Sequence, residues 1–266
     1  MPPRSRVVRL KFQDEEMAYK QLHYIKYQLG EHIPHVLIDA VHAASPAGDA
    51  FTGDIAAQVS EVVGCHCIIA TVSRKIADLN RSPSPRSRNA VQEYRQTIHT
   101  ILEASNLLTP PGTLRQPFLH MAIHGMEDRD DKDIELGTVH GRSCTPLVRD
   151  WVYAECKRWA CSSLVLPRQP IIVIDEELSG DPSIAHHAHG EPKTGYPGYG
   201  DKFNTIQIEI AHWLRVDYQP EIVELLATLA GDFGKETQRQ DMPLVDRVIR
   251  GERLKKGDDA GKSTDL

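Results

Sequence analysis

The sequence predicts an α/β fold: a central mixed β-sheet flanked by helices, in one domain spanning residues 1–250. Three observations carry this. Short apolar runs alternate along the chain with stretches of helical spacing. Several of those runs end in polar loops that hold a histidine, an arginine or an acid, which is how open α/β sheets build sites. A chain of 266 residues, 40% hydrophobic, can bury one large core.

Taken in order, residues 7–12 read as a first strand. Residues 14–29 read as a helix, with Asp14 as its cap and Ala18, Leu22, Ile25 and Leu29 at spacings of four, three and four. Val36–Ile38 is a short strand that breaks into small residues around His42 and runs on to Asp49. Residues 52–63 form a helix with Thr52 as N-cap, Ile55, Val59, Val62 and Val63 on one side, and Gly64 as its stop. Cys67–Val72 is a buried strand. Alternation puts Cys65 and Cys67 on one face and His66 on the other, so the three form buried thiols and a separate imidazole, not a metal site.

The next loop crowds Arg74, Asp78, Asn80 and Arg81 together. It reads either as a solvated ion-pair loop or as an anion clamp, since a guanidinium grips a carboxylate through two parallel hydrogen bonds. Residues 82–90 read as a surface loop, and a helix follows over 91–107. The strand 117–126 places His120, Ala122 and His124 on one face, with His124 at the polar end. The charged run 127–133 reads as solvated. A strand over 134–138, a helix over 145–160 with Cys156 and Cys161 as core or half-buried thiols, and a strand over 169–175 come next. A long loop, 179–203, carries His186, His187 and His189, a cluster kept out of the main site. In the last strand, Ile206, Ile208 and Ile210 alternate with Gln207 and Glu209. Helices over 220–231 and 241–251 close the domain, and 251–266 reads as a disordered tail.

Composition removes several classes. A net charge of −6 gives no broad basic footprint, which argues against general nucleic-acid binding. No apolar run approaches the roughly 20 residues that a membrane span needs. Five cysteines with no CxxC pair do not form a disulfide scaffold. The opening MPPRSRVVRLKF lacks the apolar core of a signal peptide, so the expectation is a cytoplasmic protein. The oligomeric state is open.

Four strand ends therefore carry polar groups: His42 with Asp49, the Arg74–Arg81 loop, His124, and Glu209. Two histidines and one carboxylate make a catalytic zinc set with a fourth position open to water. A separate glutamate can take that water's proton. A nearby arginine suits an acidic substrate. Together these parts make a metal hydrolase that cleaves an amide beside a carboxylate.

The blocks VSRKIADLNR, IHGM, IELGT-x-x-GRS and NTIQIEI resemble the N-formylglutamate amidohydrolase family, in order and separation, across roughly residues 36–215. The resemblance implies a zinc-carboxypeptidase-like single domain that hydrolyses an N-acyl amino acid, typically N-formylglutamate. Phage-type poly-γ-glutamate hydrolases look like distant relatives. Carried over by position, the resemblance implies His42, Asp49 and His124 as zinc ligands and Glu209 as general base. It implies Asn80 and Arg81 as the grip on the substrate's carboxylate, with Arg74 lining the same pocket. Asp54 is the alternative to Asp49. The first block departs from the family, which has Pro-His followed by Ser-Gly or Gly-Gly where this chain has Val41-His42-Ala43-Ala44. The expected ligand is a small N-acyl amino acid or short acidic peptide. The rival readings are a non-catalytic binding member of the same fold and a metallocarboxypeptidase acting on peptides.

Overall fold

A computed structural model of the chain describes residues 19–184, 190 and 198–238. In chain order the first elements are β1 (Lys20–Gln21), β2 (Ile25–Gln28), β3 (Ile33–Ala40), α1 (Thr52–Val63) and β4 (Cys65–Ala70). Then come α2 (Arg88–Ala104), β5 (Phe118–Met126), β6 (Ile134–Gly137), α3 (Pro146–Ser162) and β7 (Ile172–Ile174). The last are β8 (Phe203–Ala211), α4 (His212–Asp217) and α5 (Gln219–Gln238).

The strands form one eight-stranded mixed sheet in the order β1-β2-β4-β3-β5-β8-β6-β7. Its centre, β4-β3-β5-β8, is parallel. The β1-β2 hairpin adds antiparallel to β4 at one side, and β6 adds antiparallel to β8 at the other. From β3 the chain passes through α1 to β4 on one side, then through α2 to β5 on the other. Loops leaving β3 and β5 therefore part in opposite directions. That is a topological switch point, and the crevice at the carboxyl ends of such strands is where α/β sheets bind ligands.

Side-chain alternation sorts the core into two layers. Val36, Ile38, Met121, Ile206, Ile208 and Ile210 face α1, α3 and α5, against Ile55, Val59, Val152, Leu229 and Phe233. Leu37 and Phe118 face α2, against Tyr94, Ile98 and Ile101. Each fully buried aliphatic side chain contributes about 1.5–3 kcal/mol. The three isoleucines of β8 thus pin its register, which fixes the opposite face for Gln207 and Glu209.

Several expectations are corrected. Residues 19–29 are not helical: β1 and β2 pair as a hairpin, with Ile25 and Tyr27 buried and Leu29 exposed. The four-three-four spacing was outweighed by the edge of β4, where Tyr and β-branched residues pack well. Thr52 is not a cap. Phe51 holds the N-cap position in a left-handed conformation, and the buried Thr52 hydroxyl donates to Asp49 O at 2.7 Å. Val62 is exposed, outside the apolar side of α1. Cys161 is exposed as well.

The run 127–133 is not wholly solvated, because Lys132 and Asp133 are buried, each with partners. Lys132 Nζ lies 2.8 Å from Glu135 Oε2. Asp133 accepts from Arg168, Ile171 N and Trp213 Nε1. Charge can be buried when it is answered in this way. The helix α4 was not anticipated. The strand at 7–12, the start of the helix at 14–29, the histidines 186, 187 and 189, the helix at 241–251 and the tail lie outside the described residues. No helix among the described residues is long and apolar enough to cross a membrane.

Candidate metal centre

The loop after β3 folds back on itself. Ala43 N donates to Ala40 O at 3.3 Å, and Asp49 N donates to His42 O at 2.7 Å. That closure brings the Asp49 carboxylate beside the His42 ring. Gly48 is required there: a Cβ would lie 2.7 Å from Ala44 O and 2.9 Å from His42 O. Asp54, in the first turn of α1, is exposed and outside the cluster.

His124 comes from β5, in register with Glu209 on β8. Register partners share a face, so His120, Ala122 and His124 line up beside Thr205, Gln207 and Glu209. The rings of His42 and His124 stand 4.8 Å apart at 75°. Asp49 Oδ2 lies 3.5 Å from His42 Nδ1 and 3.4 Å from His124 Nδ1, and it accepts from Gly125 N at 3.1 Å. All three ligand atoms fall within 4.8 Å of one another.

These residues fit a metal ion. Ligand atoms at about 2.0–2.1 Å from a tetrahedral zinc would stand roughly 3.3 Å apart, which two of the three edges match. His42 Nδ1 is buried with no hydrogen-bond partner among the described residues. The other ring nitrogen, Nε2, lies 2.8 Å from Asp78 Oδ1. A carboxylate on Nε2 holds the proton there and leaves Nδ1 as a lone pair, the second contact that metal-binding histidines nearly always make.

The electrostatics follow from burial and neighbours. Burial works to raise the Asp49 pKa, but the close imidazoles of His124 and His42 outweigh it and hold the carboxyl well below the usual range. Burial works against a charged His124, and Asp49 with the nearby Glu209 overcomes it, so its pKa is raised. The Asp78 pKa is lowered, its burial offset chiefly by the contact with His42. The Glu209 pKa is raised, first by burial, with Asp49 and Glu135 adding to it against His124 and His42. A buried glutamate with a raised pKa, on the strand adjoining His124, is the kind of group that takes part in proton transfer.

Around this core, Arg74 bridges two carboxylates, 3.6 Å from Asp49 Oδ1 and 3.7 Å from Asp78 Oδ2. Arg81 is exposed, donates to Asn80 O at 2.8 Å, and lies 3.9 Å from Asp78. Asn80 is buried. Its Nδ2 sits 3.4 Å from both His124 Nε2 and Gln207 Oε1, and its Oδ1 has no partner among the described residues. Gln207 Nε2 in turn donates to Glu209 Oε1 at 3.0 Å. His42, Asp49, His124, Asn80 and Glu209 thus converge on one crevice, and Arg74 and Arg81 stand at its margin.

Two members were not assigned their places from the sequence. Asp78 belongs to the loop that reads either as a solvated ion-pair loop or as an anion clamp, and in the structure it contacts His42. Gln207 was read only as the companion of Glu209 on one face, and it links Glu209 to Asn80. Both are visible in the sequence as polar residues, Asp78 in the loop after β4 and Gln207 within β8, but their partners lie 36 and 127 residues away along the chain.

No protein-family model matches the sequence, and no curated protein matches it. Solved structures do match in shape. An N-formylglutamate amidohydrolase from Ralstonia eutropha JMP134 superposes with a TM-score of 0.58 at 15% identity, covering 82% of this chain and 99% of that one. A gene product from Agrobacterium tumefaciens gives 0.52 at 13% identity, covering 79% and 92%. The chain shares the fold of these proteins, a mixed α/β sheet flanked by helices.

Proposed function

We propose that this protein is a zinc-dependent hydrolase that cleaves the amide bond of an N-acyl acidic amino acid. The observation that carries the reading is the meeting of His42 Nδ1, His124 Nδ1 and the Asp49 carboxylate at the switch point, with Glu209 on the adjoining strand. In this reading His42, Asp49 and His124 hold the ion. Zinc in such a site supplies Lewis acidity to the substrate carbonyl and makes a water acidic enough to attack near neutral pH.

The chain's own residues do the rest. Glu209 accepts a proton from the attacking water and returns it to the leaving amine nitrogen. Burial and Gln207 keep its carboxyl in place for both transfers. Asp78 keeps His42 in the tautomer that leaves Nδ1 free. Arg74 and Arg81 attract the substrate's carboxylate, and the exposed guanidinium of Arg81 can present a two-pronged face to it. In this reading Asn80 Oδ1, buried and unanswered among the described residues, accepts from a substrate amide N–H. The likeness in fold to an N-formylglutamate amidohydrolase supports a glutamate-like substrate with a small acyl group. All five cysteines are free, which supports a reducing, cytoplasmic setting.

The test is a substrate panel. Zinc-loaded protein is offered N-formyl, N-acetyl and N-succinyl derivatives of glutamate, aspartate and leucine beside short peptides, and release of free amine is measured. Turnover of the acylated acidic amino acids, abolished by chelation and restored by zinc, is the expected result. Turnover of peptides alone would favour a carboxypeptidase. Zinc binding with no turnover of any compound would favour a binding protein of the same fold.

A further inference from the structure

Arg215 lies in α4, outside the metal cluster, and is 3% exposed. Its guanidinium donates Nε to Ile210 O at 2.9 Å, Nη2 to Met126 O at 3.1 Å, and Nη1 to Ala50 O. Among the described residues no carboxylate forms an ion pair with it. A buried cation whose hydrogen bonds, among the described residues, all go to backbone carbonyls is a costly way to fill space, and an apolar side chain would do that more cheaply. The choice of carbonyls explains the expense. Ala50 follows Asp49, Ile210 follows Glu209, and Met126 is two residues beyond His124. One planar fork therefore grips the loop of Asp49 and the ends of β5 and β8, the three segments that carry the site.

The surroundings are shaped for that fork. Gly125, next to His124, has no room for a side chain, since a Cβ would stand 2.5 Å from the Arg215 Cζ. Burial lowers the Arg215 pKa, and Asp49, Glu127, Glu209 and Asp128 act against that, favouring the charged form.

We infer that Arg215 is a positioning residue for the metal centre: it fixes the loop of Asp49 and the ends of β5 and β8 against one another, and so sets the spacing of the ligands. The inference rests on the metal-centre reading above. It acts through backbone only, so Arg215 touches neither metal nor substrate. Lysine keeps the charge but has no rigid fork and cannot span the three carbonyls.

The experiment measures zinc affinity by competition with a chromogenic chelator, beside melting temperature, for wild type, Arg215→Lys, Arg215→Gln and Leu214→Ala. Leu214 is the neighbouring fully buried residue and packs in the core, so its truncation controls for lost stability alone. The expected result is zinc binding about 10- to 100-fold weaker in both Arg215 variants, the range for residues that orient metal ligands. Leu214→Ala should bind zinc normally at an equal or lower melting temperature. Affinities for Arg215→Lys and Arg215→Gln within twofold of Leu214→Ala would overturn the inference. So would failure of Arg215→Lys to fold, which would make the residue a general support of the fold. Wild-type protein that binds no zinc would instead remove the metal centre itself, and the role of Arg215 with it.

Discussion

Two clusters of buried charge lie on this sheet with β8 between them, and they differ in one respect. At the β6 side, each buried charge is answered: Lys132 meets Glu135, Glu135 Oε1 takes Glu177 N and Leu178 N at 2.6 Å each, and Asp133 takes Arg168, Ile171 N and Trp213. At the crevice between β3 and β5, the same kinds of residue are left incomplete. Asp49 stands 3.4–3.5 Å from two imidazole nitrogens, longer than good hydrogen bonds. His42 Nδ1 and Asn80 Oδ1 have no hydrogen-bond partner among the described residues. A satisfied cluster is part of the scaffold. An unsatisfied one, held rigidly by Asp78, Gly125 and Gln207, is shaped for something that completes it.

The contrast can be broken most decisively at Glu209. Glu209→Gln keeps size and the contact with Gln207 but cannot shuttle a proton. The expected outcome is a loss of about 100- to 10,000-fold in kcat, with zinc content and melting temperature near wild type. Wild-type turnover would place Glu209 with the scaffold residues. Loss of zinc would make it a ligand, and Asp49 would then be the residue to demote.

The scaffold cluster should answer with stability. Lys132→Met strands Glu135 in the interior. Breaking a buried pair costs about 3–5 kcal/mol, and the lower end applies here because Glu176 and Glu177, which cover Lys132, are half exposed. Zinc content should not change. The pH dependence has a definite sign. The Glu135 pKa is lowered from its ordinary 4.5: burial would raise it, but Lys132 and the two backbone N–H groups outweigh burial. Its contribution is therefore fully present above that value and is lost as pH falls through the depressed one. Acid titration of the unfolding free energy should be flatter in Lys132→Met than in wild type. An equal slope would mean that the pair is not what lowers Glu135.

The smallest effect is expected at the rim. Arg81→Lys keeps the charge and loses the fork, so KM for an acylated glutamate should rise about tenfold, the loss of roughly one charge-assisted hydrogen bond. An unchanged KM would leave Arg81 as a surface partner of Asp78.

Much of this contrast could be read in the sequence, and the unreadable part has a physical reason. Alternation in 205–210 and 117–126 gave the faces of β8 and β5, because a half-buried strand must repeat every two residues. Polar residues at the ends of those strands gave the members of the crevice. The hairpin at 20–28 was missed because four apolar positions fell at helical spacing, and pairing with β4 outweighed that pattern. The buried state of Lys132 and Asp133 was missed because a run of charges looks the same whether or not distant partners cover it. Arg168 and Trp213, which answer Asp133, are 35 and 80 residues away. Arg215 was invisible for the same reason, since its three partners are carbonyls and carry no sequence signal at all.

The central claim is that the incomplete cluster is completed by one metal ion. Elemental analysis of purified wild type, His42→Ala, His124→Ala and the double variant, each checked for an intact fold, tests it directly. The expected result is about one zinc per chain in wild type and none in the double variant. Full zinc retention by a folded double variant would contradict the claim and send the search to the histidines at 186, 187 and 189.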